Sequence, residues 1–544
     1  MFKKILGLCL LSAFAFSASA QSPHKFAVIF TDKADSPFSI DEPEAFLSQR
    51  AIDRRTKQDI QITETDLPVN PSYLEGVKSS GGKLLNHTKW LNTAIVEGDS
   101  SILASLNALN YVDTVILILN GNFFQKRSMN NKFNEITFEE ADYGDSYRQI
   151  EMMNGHRIHD LGFKGEGLLI GVLDGGFTNA NTIESLQPLF NNNQVIGVRD
   201  VVEQDNDPYH GSGHGTSVLS CMGALLIGEI IGTAPDANYL LIRTEDVASE
   251  FPIEEFNWAI GAEYADSMGA DVLNTSLGYS TFDDTLMSHT YSELTGDSTF
   301  ITKASNIAAS KGMLIVTSAG NEGGGEWNFI TAPADAKDVL TVGAVDADLN
   351  RAGFSSVGPN ASDSIKPDVC AMGEGVLVSN SSDRQRFGSG TSYAGPILAG
   401  MAASFWQMRP DLTAIELRDL IKSIGHQAKF PDNNRGYGVP DFLLAISDGT
   451  TINPNVFNNN ELLLIYPNPS SNQFAIEFFN TEQSEVVISV FDAAGKLVLT
   501  QTESAPAKKF HETKLLGTNK LTSGLYILQL ETKTQRLSRK IQKL

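Results

Sequence analysis

Residues 169–176 read Leu169-Ile170-Gly171-Val172-Leu173-Asp174-Gly175-Gly176. An apolar run that ends abruptly in Asp-Gly-Gly predicts a buried parallel strand with an aspartate at its carboxyl end. Two later stretches also set a chemically capable side chain among glycines. They are Gly213-His214-Gly215-Thr216-Ser217 and Gly388-Ser389-Gly390-Thr391-Ser392-Tyr393-Ala394-Gly395-Pro396. Glycine lets backbone turn sharply and approach a second molecule closely. Apolar stretches follow, Ser217 to Ile227 after the histidine and Ile397 to Trp406 after the serine, and both are expected to be helical. Further helical runs at Ile253 to Met268 and Ala304 to Lys311 alternate with strand-like ones. That rhythm predicts an α/β domain, a mainly parallel sheet with helices on both faces, from about Tyr143 to Ser447.

Asp, then His, then Ser is one of the chain orders in which a nucleophile, its base and the group that orients the base occur. On these motifs the chain resembles the subtilisin-like serine proteases (subtilases, peptidase family S8). The resemblance implies a serine endopeptidase that works through an acyl-enzyme. Ser392 would attack the scissile carbonyl, and His214 would take its proton and later protonate the leaving amine. Asp174 would hold the imidazole in the productive tautomer. A fourth motif, Leu314-Ile315-Val316-Thr317-Ser318-Ala319-Gly320-Asn321-Glu322-Gly323, runs from a β-branched stretch into a glycine-flanked asparagine. By the same resemblance Asn321 donates its amide to the oxyanion, joined by the Ser392 backbone N–H. Asp271-Val272-Leu273-Asn274-Thr275-Ser276-Leu277-Gly278 is similar to the strand that pairs with substrate backbone in that family. Ser276, Leu277 and Gly278 would then bind substrate and wall the first specificity pocket. The chain departs from the family at Gly175, at Gly395 and over residues 322–331, so the base of that pocket stays unassigned.

Taken singly, each motif has a plain structural reading. Asp-Gly is a common turn, a lone histidine packs in a core, and serine or asparagine caps a helix. Four family motifs in one order outweigh those readings. His210 and His214 stand at helical spacing, but Pro208, Gly211, Gly213 and Gly215 disfavour a helix there, and no carboxylate follows at zinc-protease spacing. No cofactor is required for the chemistry. Structural calcium is left open, with Asp205-Asn206-Asp207 as an oxygen cluster against the reading of a solvated acidic loop.

Around the catalytic part the organisation is modular. Residues 1–20 read as an export signal: Lys3-Lys4, an apolar core, then Ala18-Ser19-Ala20. Residues 21–120 suggest a small α+β domain, with strands at Phe26 to Phe30, Trp90 to Val96 and Val112 to Leu119 and helices at Glu42 to Lys57 and Ser100 to Leu109. It resembles the inhibitory prodomains of subtilases, an accessory binding domain being the alternative. Residues 121–142 form a polar processing region, and 448–460 an Asn-rich linker. Short strand-like runs across 461–544 suggest a small β-sandwich. Tyr466-Pro467-Asn468-Pro469, Asp492-Ala493-Ala494-Gly495-Lys496, Gly524-Leu525-Tyr526-Ile527-Leu528-Gln529-Leu530 and a basic end resemble the C-terminal sorting domain of type IX secretion cargo in Bacteroidetes.

A net charge of −24 counts against nucleic acid as a partner. The expected partners are protein or peptide substrates, the chain's own prodomain and the type IX machinery, with no membrane span in the mature chain. Expected localisation is the cell surface or medium, reached through the periplasm. Cys221 and Cys370 lie in apolar surroundings, as buried thiols do. The competing functional class is an inactive or narrowly specific processing homologue that serves as a surface binding protein.

Overall fold

The computed structural model describes residues 23–121, 142–447, 463–466, 470, 473–480, 483–505, 509–533 and 536–544. The export signal, most of the processing region and the 448–460 linker lie outside these residues.

The N-terminal unit is a four-stranded antiparallel sheet in the order β2-β3-β1-β4, built from β1 (His24–Phe30), β2 (Lys83–Thr88), β3 (Thr93–Gly98) and β4 (Val112–Leu119). Helices α1 (Gln49–Lys57) and α2 (Pro71–Ser79) belong to the same unit. The expected helix over Glu42 to Lys57 is broken. A short 3-10 turn at Pro43–Ala45 precedes α1, and the Ser48 hydroxyl caps it by accepting from the Ala51 N–H. The expected strand at Trp90 starts later, at Thr93, because residues 89–92 turn to meet a carboxylate of the next domain. α2 and β2 carry weak periodicity and were not anticipated.

The central domain is a seven-stranded sheet in the order β11-β10-β9-β8-β5-β7-β6, with every pairing parallel. Its strands are β5 (Leu169–Asp174), β6 (Val195–Asp200), β7 (Asn238–Arg243), β8 (Val272–Thr275), β9 (Leu314–Ser318), β10 (Leu340–Val345) and β11 (Val369–Met372). β5 is buried at every position, as the apolar run predicted, because helices cover both faces. One face carries α3 (His214–Gly223) and α6 (Thr391–Met408), and the other carries α4 (Ile253–Met268) and α5 (Phe300–Ser310). Strand order reverses beside β5, so a crevice opens at the carboxyl ends of β5, β7 and β8.

The N-terminal unit sits on α4. Ala27, Trp90, Ile95 and Ile118 join the core cluster that contains Phe256, Ala259 and Ile260. Two acidic residues of α4, Glu263 and Asp266, are buried at this contact. Glu263 accepts from the backbone N–H groups of Lys89 and Trp90 at 3.0 and 2.9 Å, and from the Thr88 hydroxyl. Asp266 meets Arg54 and, at 2.9 Å, Arg55, which also reaches Asp66 at 2.8 Å.

The C-terminal region forms two antiparallel sheets around a core of its own, which includes Phe474, Ile488, Leu528 and Ile541. One has the order Leu463–Tyr466, Ala475–Asn480, Lys509–Lys514, and the other Leu497–Ala505, Ser484–Asp492, Gly524–Glu531, Arg536–Lys543. The basic end is thus an edge strand, with Leu537 and Ile541 turned to the core between exposed charges.

Candidate active site

Asp174 closes β5 and is fully buried, its Oδ1 accepting from the Gly175 N–H at 2.8 Å. His214 opens α3, three residues earlier than the apolar stretch suggested. Its N–H donates to the Ser212 hydroxyl at 3.0 Å. The His214 Nδ1 lies 2.9 and 3.0 Å from the two Asp174 oxygens. With Nδ1 committed to the carboxylate, Nε2 is the basic atom of the ring. The glycines explain how helix and strand come so close. A Cβ on Gly215 would stand 2.5 Å from the Gly176 carbonyl oxygen and 2.9 Å from Asp174 Cβ. One on Gly176, whose φ is 137°, would stand 2.0 Å from the His210 carbonyl oxygen.

Burial pushes the His214 pKa down. The charge of Asp174 and its hydrogen bond outweigh that effect and hold the pKa above the ordinary imidazole value. The carboxylate therefore favours the imidazolium that forms when the ring takes a proton.

Ser392 is the second residue of α6, so its N–H is among those a helix leaves without an intrahelical acceptor. Its hydroxyl donates to the Ser276 carbonyl at 3.4 Å. Asn321 follows β9, and its Oδ1 accepts from both the N–H and the hydroxyl of Thr391, at 2.9 and 3.0 Å. That pair of bonds fixes the amide and leaves Nδ2 as its free donor. Pro396 lies inside α6 and supplies no N–H to the Ser392 carbonyl four residues back. The Ser276 hydroxyl takes that place at 2.9 Å.

Asp174, His214, Ser276, Leu277, Gly278, Asn321 and Ser392 line one cleft of about 430 Å³. All the residues singled out for catalysis and substrate binding are thus brought together. Three supporting residues escaped the sequence reading: Ser212, Thr391 and Pro396. For Ser212 a signal was present, since a serine two residues before a helical histidine is a capping pattern.

The acidic loop behaves differently. Asp205 and Asp207 accept the N–H groups of Asp207 and Tyr209 at 2.9 and 3.2 Å, as ordinary turn carboxylates do. Nearby, Asp200, Glu203 and His210 place ligand atoms within 4.8 Å of one another. Arg243 Nη1 stands in that group, 2.7 Å from Asp200 and 3.0 Å from Glu203. A guanidinium already neutralises these carboxylates, so the residues do not fit a divalent cation. Cys221 and Cys370 are free and buried, and burial pushes the Cys370 thiol up to about 12.

The cleft lies at the carboxyl edge of the parallel sheet, and comparison with known proteins gives its class. The Subtilase family profile (Peptidase_S8) matches residues 165–439, and the chain belongs to that family. It is a serine-type endopeptidase. The peptidase S8 propeptide domain of Bacteroidota matches residues 25–135, and the secretion system C-terminal sorting domain matches residues 464–543. The chain is 29% identical to Subtilisin DY of Bacillus licheniformis over 276 residues, covering 50% of this chain and 89% of that protein. It is 30% identical to Subtilisin E of Bacillus subtilis (strain 168) over 296 residues, 53% of this chain and 68% of that one. The solved structure of MycP1 with its N-terminal propeptide removed aligns at 22% identity and a TM-score of 0.45, covering 56% of this chain and 98% of that one. The type IX sorting domain indicates secretion or attachment at the cell surface. Among the described residues no helix is long and apolar enough to cross a membrane.

Proposed function

We propose that Asp174, His214 and Ser392 are the catalytic triad, and that Asn321 Nδ2 and the Ser392 N–H bind the oxyanion. One observation carries this reading: buried Asp174 and half-buried His214 form a pair that opens onto the same cleft as a serine in the first turn of α6. Attack by Ser392 Oγ on a peptide carbonyl passes its proton to His214 Nε2. The alkoxide that develops on the carbonyl oxygen meets the two donors, and the imidazolium then protonates the leaving amine. Water repeats the sequence to release the acyl group. Ser276, Leu277 and Gly278 hold the substrate backbone.

The chain acts as a zymogen. Residues 21–120 cover α4 until the enzyme cuts itself within 121–142, freeing a catalytic domain of about 143–447. Residues 461–544, behind the 448–460 linker, direct export after the 1–20 signal takes the chain to the periplasm. Fluorophosphonate labelling tests the core of this reading. The processed enzyme is expected to label, and Ser392→Ala is expected to lose both the label and turnover. Full activity in that variant would overturn the triad.

A further inference from the structure

The cleft beside the triad is strongly acidic. Glu245, Asp246, Glu250, Glu254 and Asp283 line it together with Asp174, and among the described lining residues there is no lysine or arginine. Glu245 and Glu254 are 7% and 1% exposed. Local hydrogen bonds reach several of these carboxylates. The Asp246 N–H donates to Glu254 Oε1 at 3.1 Å, the Thr244 hydroxyl to Glu245 Oε1 at 2.9 Å, and the Glu250 N–H to Asp283 Oδ2 at 3.1 Å. Glu254 Oε2 is buried and has no partner.

A buried carboxylate oxygen without a donor is costly, so a donor arriving through the cleft is favoured. Burial first, then the charge of Glu250, pushes Glu245 up to about 8, and burial with Glu245 lifts Glu254 well above its ordinary range. A cation brought beside these two buried carboxyls favours their charged form. Among the described residues the only group of three His, Cys, Asp or Glu side chains with ligand atoms within 4.8 Å of one another is Asp200, Glu203 and His210, outside this wall. Carboxylates spread over a longer wall suit the extended, multiply donating head of lysine or arginine.

The chain's own course points the same way. Asn120 Nδ2 approaches Asp284 Oδ2 at 3.5 Å, so the N-terminal unit ends beside this wall. In the sequence, Lys126-Arg127 follows six residues later.

We propose that the wall formed by Glu245, Asp246, Glu250, Glu254 and Asp283 is a subsite that selects a lysine or arginine side chain of the peptide substrate. This rests on the serine-endopeptidase reading of the same cleft. Fluorogenic peptides based on the sequence of residues 121–130 provide the test, varied one position at a time with Lys, Arg, norleucine and Glu. With the processed enzyme, Lys and Arg are expected to exceed norleucine by about tenfold or more in kcat/KM at one position, with Glu poorest. Glu254→Gln is expected to bring that ratio close to one, and Asp246→Asn, at the exposed end of the wall, to reduce it in the same direction. No cationic preference at any position, or a preference unchanged in both variants, overturns the subsite. Fluorophosphonate labelling of the same samples separates the two readings. A labelled parent enzyme without cationic preference removes the subsite alone, whereas a parent that never labels removes the triad.

Discussion

The Ser276 hydroxyl donates to the Ser392 carbonyl at 2.9 Å, the acceptor that Pro396 leaves without its helical donor. Proline in a helix interior normally costs stability, because it deletes a hydrogen bond and crowds the preceding turn. Here the deleted bond lies directly under the nucleophile, and a residue of the substrate-binding strand replaces it. The first turn of α6 is therefore tied to the strand that would hold the peptide. Ser276→Ala is expected to destabilise the catalytic domain by about 1–3 kcal/mol, since a buried carbonyl loses its donor. Chemical denaturation of the processed enzyme measures this. Unchanged stability would mean that the bond contributes nothing.

Asn321 and Thr391 form a second such pair. Asn321→Ala removes a donor aimed at developing charge and is expected to lower kcat about a hundred- to a thousandfold with little change in KM. Thr391→Val removes one of the two bonds that fix the amide while keeping the side chain's shape. A smaller loss in kcat is expected, and equal losses in the two variants would argue against a positioning role for Thr391.

The pH dependence follows from His214. Its neutral form must accept the Ser392 proton, and its pKa is raised, so kcat/KM is expected to fall as pH drops through a value above the ordinary 6.5. Asp174→Asn removes the charge that raises it. The acid limb should move to lower pH, and kcat should fall by roughly four orders of magnitude as the tautomer is lost. Stopped assays across pH 5 to 9 measure both effects, and an acid limb unmoved by the substitution would contradict the pairing.

The contact between the N-terminal unit and α4 depends on Asp266. Burial alone would raise its pKa, but Arg54, Arg55 and Lys89 hold it at about 2. A depressed carboxylate contributes fully above its free value near 3.8 and loses that contribution as pH falls towards 2. Arg55→Ala leaves buried carboxylates short of a partner and is expected to weaken inhibition by the isolated 21–120 segment by about 3–5 kcal/mol. The gap between parent and Asp266→Asn should stay constant from pH 7 to 5. Inhibition constants measured across that range provide the check.

Deleting residues 462–544 is expected to leave catalysis intact, because this region has a core of its own. In the native host the truncated enzyme should accumulate in the periplasm. Fractionation with activity assays decides it: normal amounts at the surface would refute the sorting role, and an inactive purified enzyme would refute the boundary.

Much of this molecule was legible in the linear chain. The run from Leu169 to Asp174 announces a strand buried on both faces, since only such a strand tolerates uninterrupted apolar residues. The bounds of Val112–Leu119 as a strand and of Ile253–Met268 as a helix match those expected from the sequence. Asp174, His214, Ser392 and Asn321 declared their chemistry because each lies within two residues of a glycine, as close backbone approach requires. Other features had no local signal. Residues 89–92 turn rather than extend, and Glu263, more than 170 residues away, accepts the N–H groups of Lys89 and Trp90. On α4, Asp266 is buried against Arg54 and Arg55, which lie more than 200 residues away in the chain. Arg243, not an ion, sits among Asp200, Glu203 and His210, a charge balance that depends on two parallel strands meeting. Local pattern determines which segments are strands and helices and which residues carry chemistry, because backbone propensity and side-chain reactivity are properties of neighbours in the chain. Which charges pair, and which carboxylates gather along one cleft, was decided only by tertiary structure, because burial and Coulomb energy depend on distance in space.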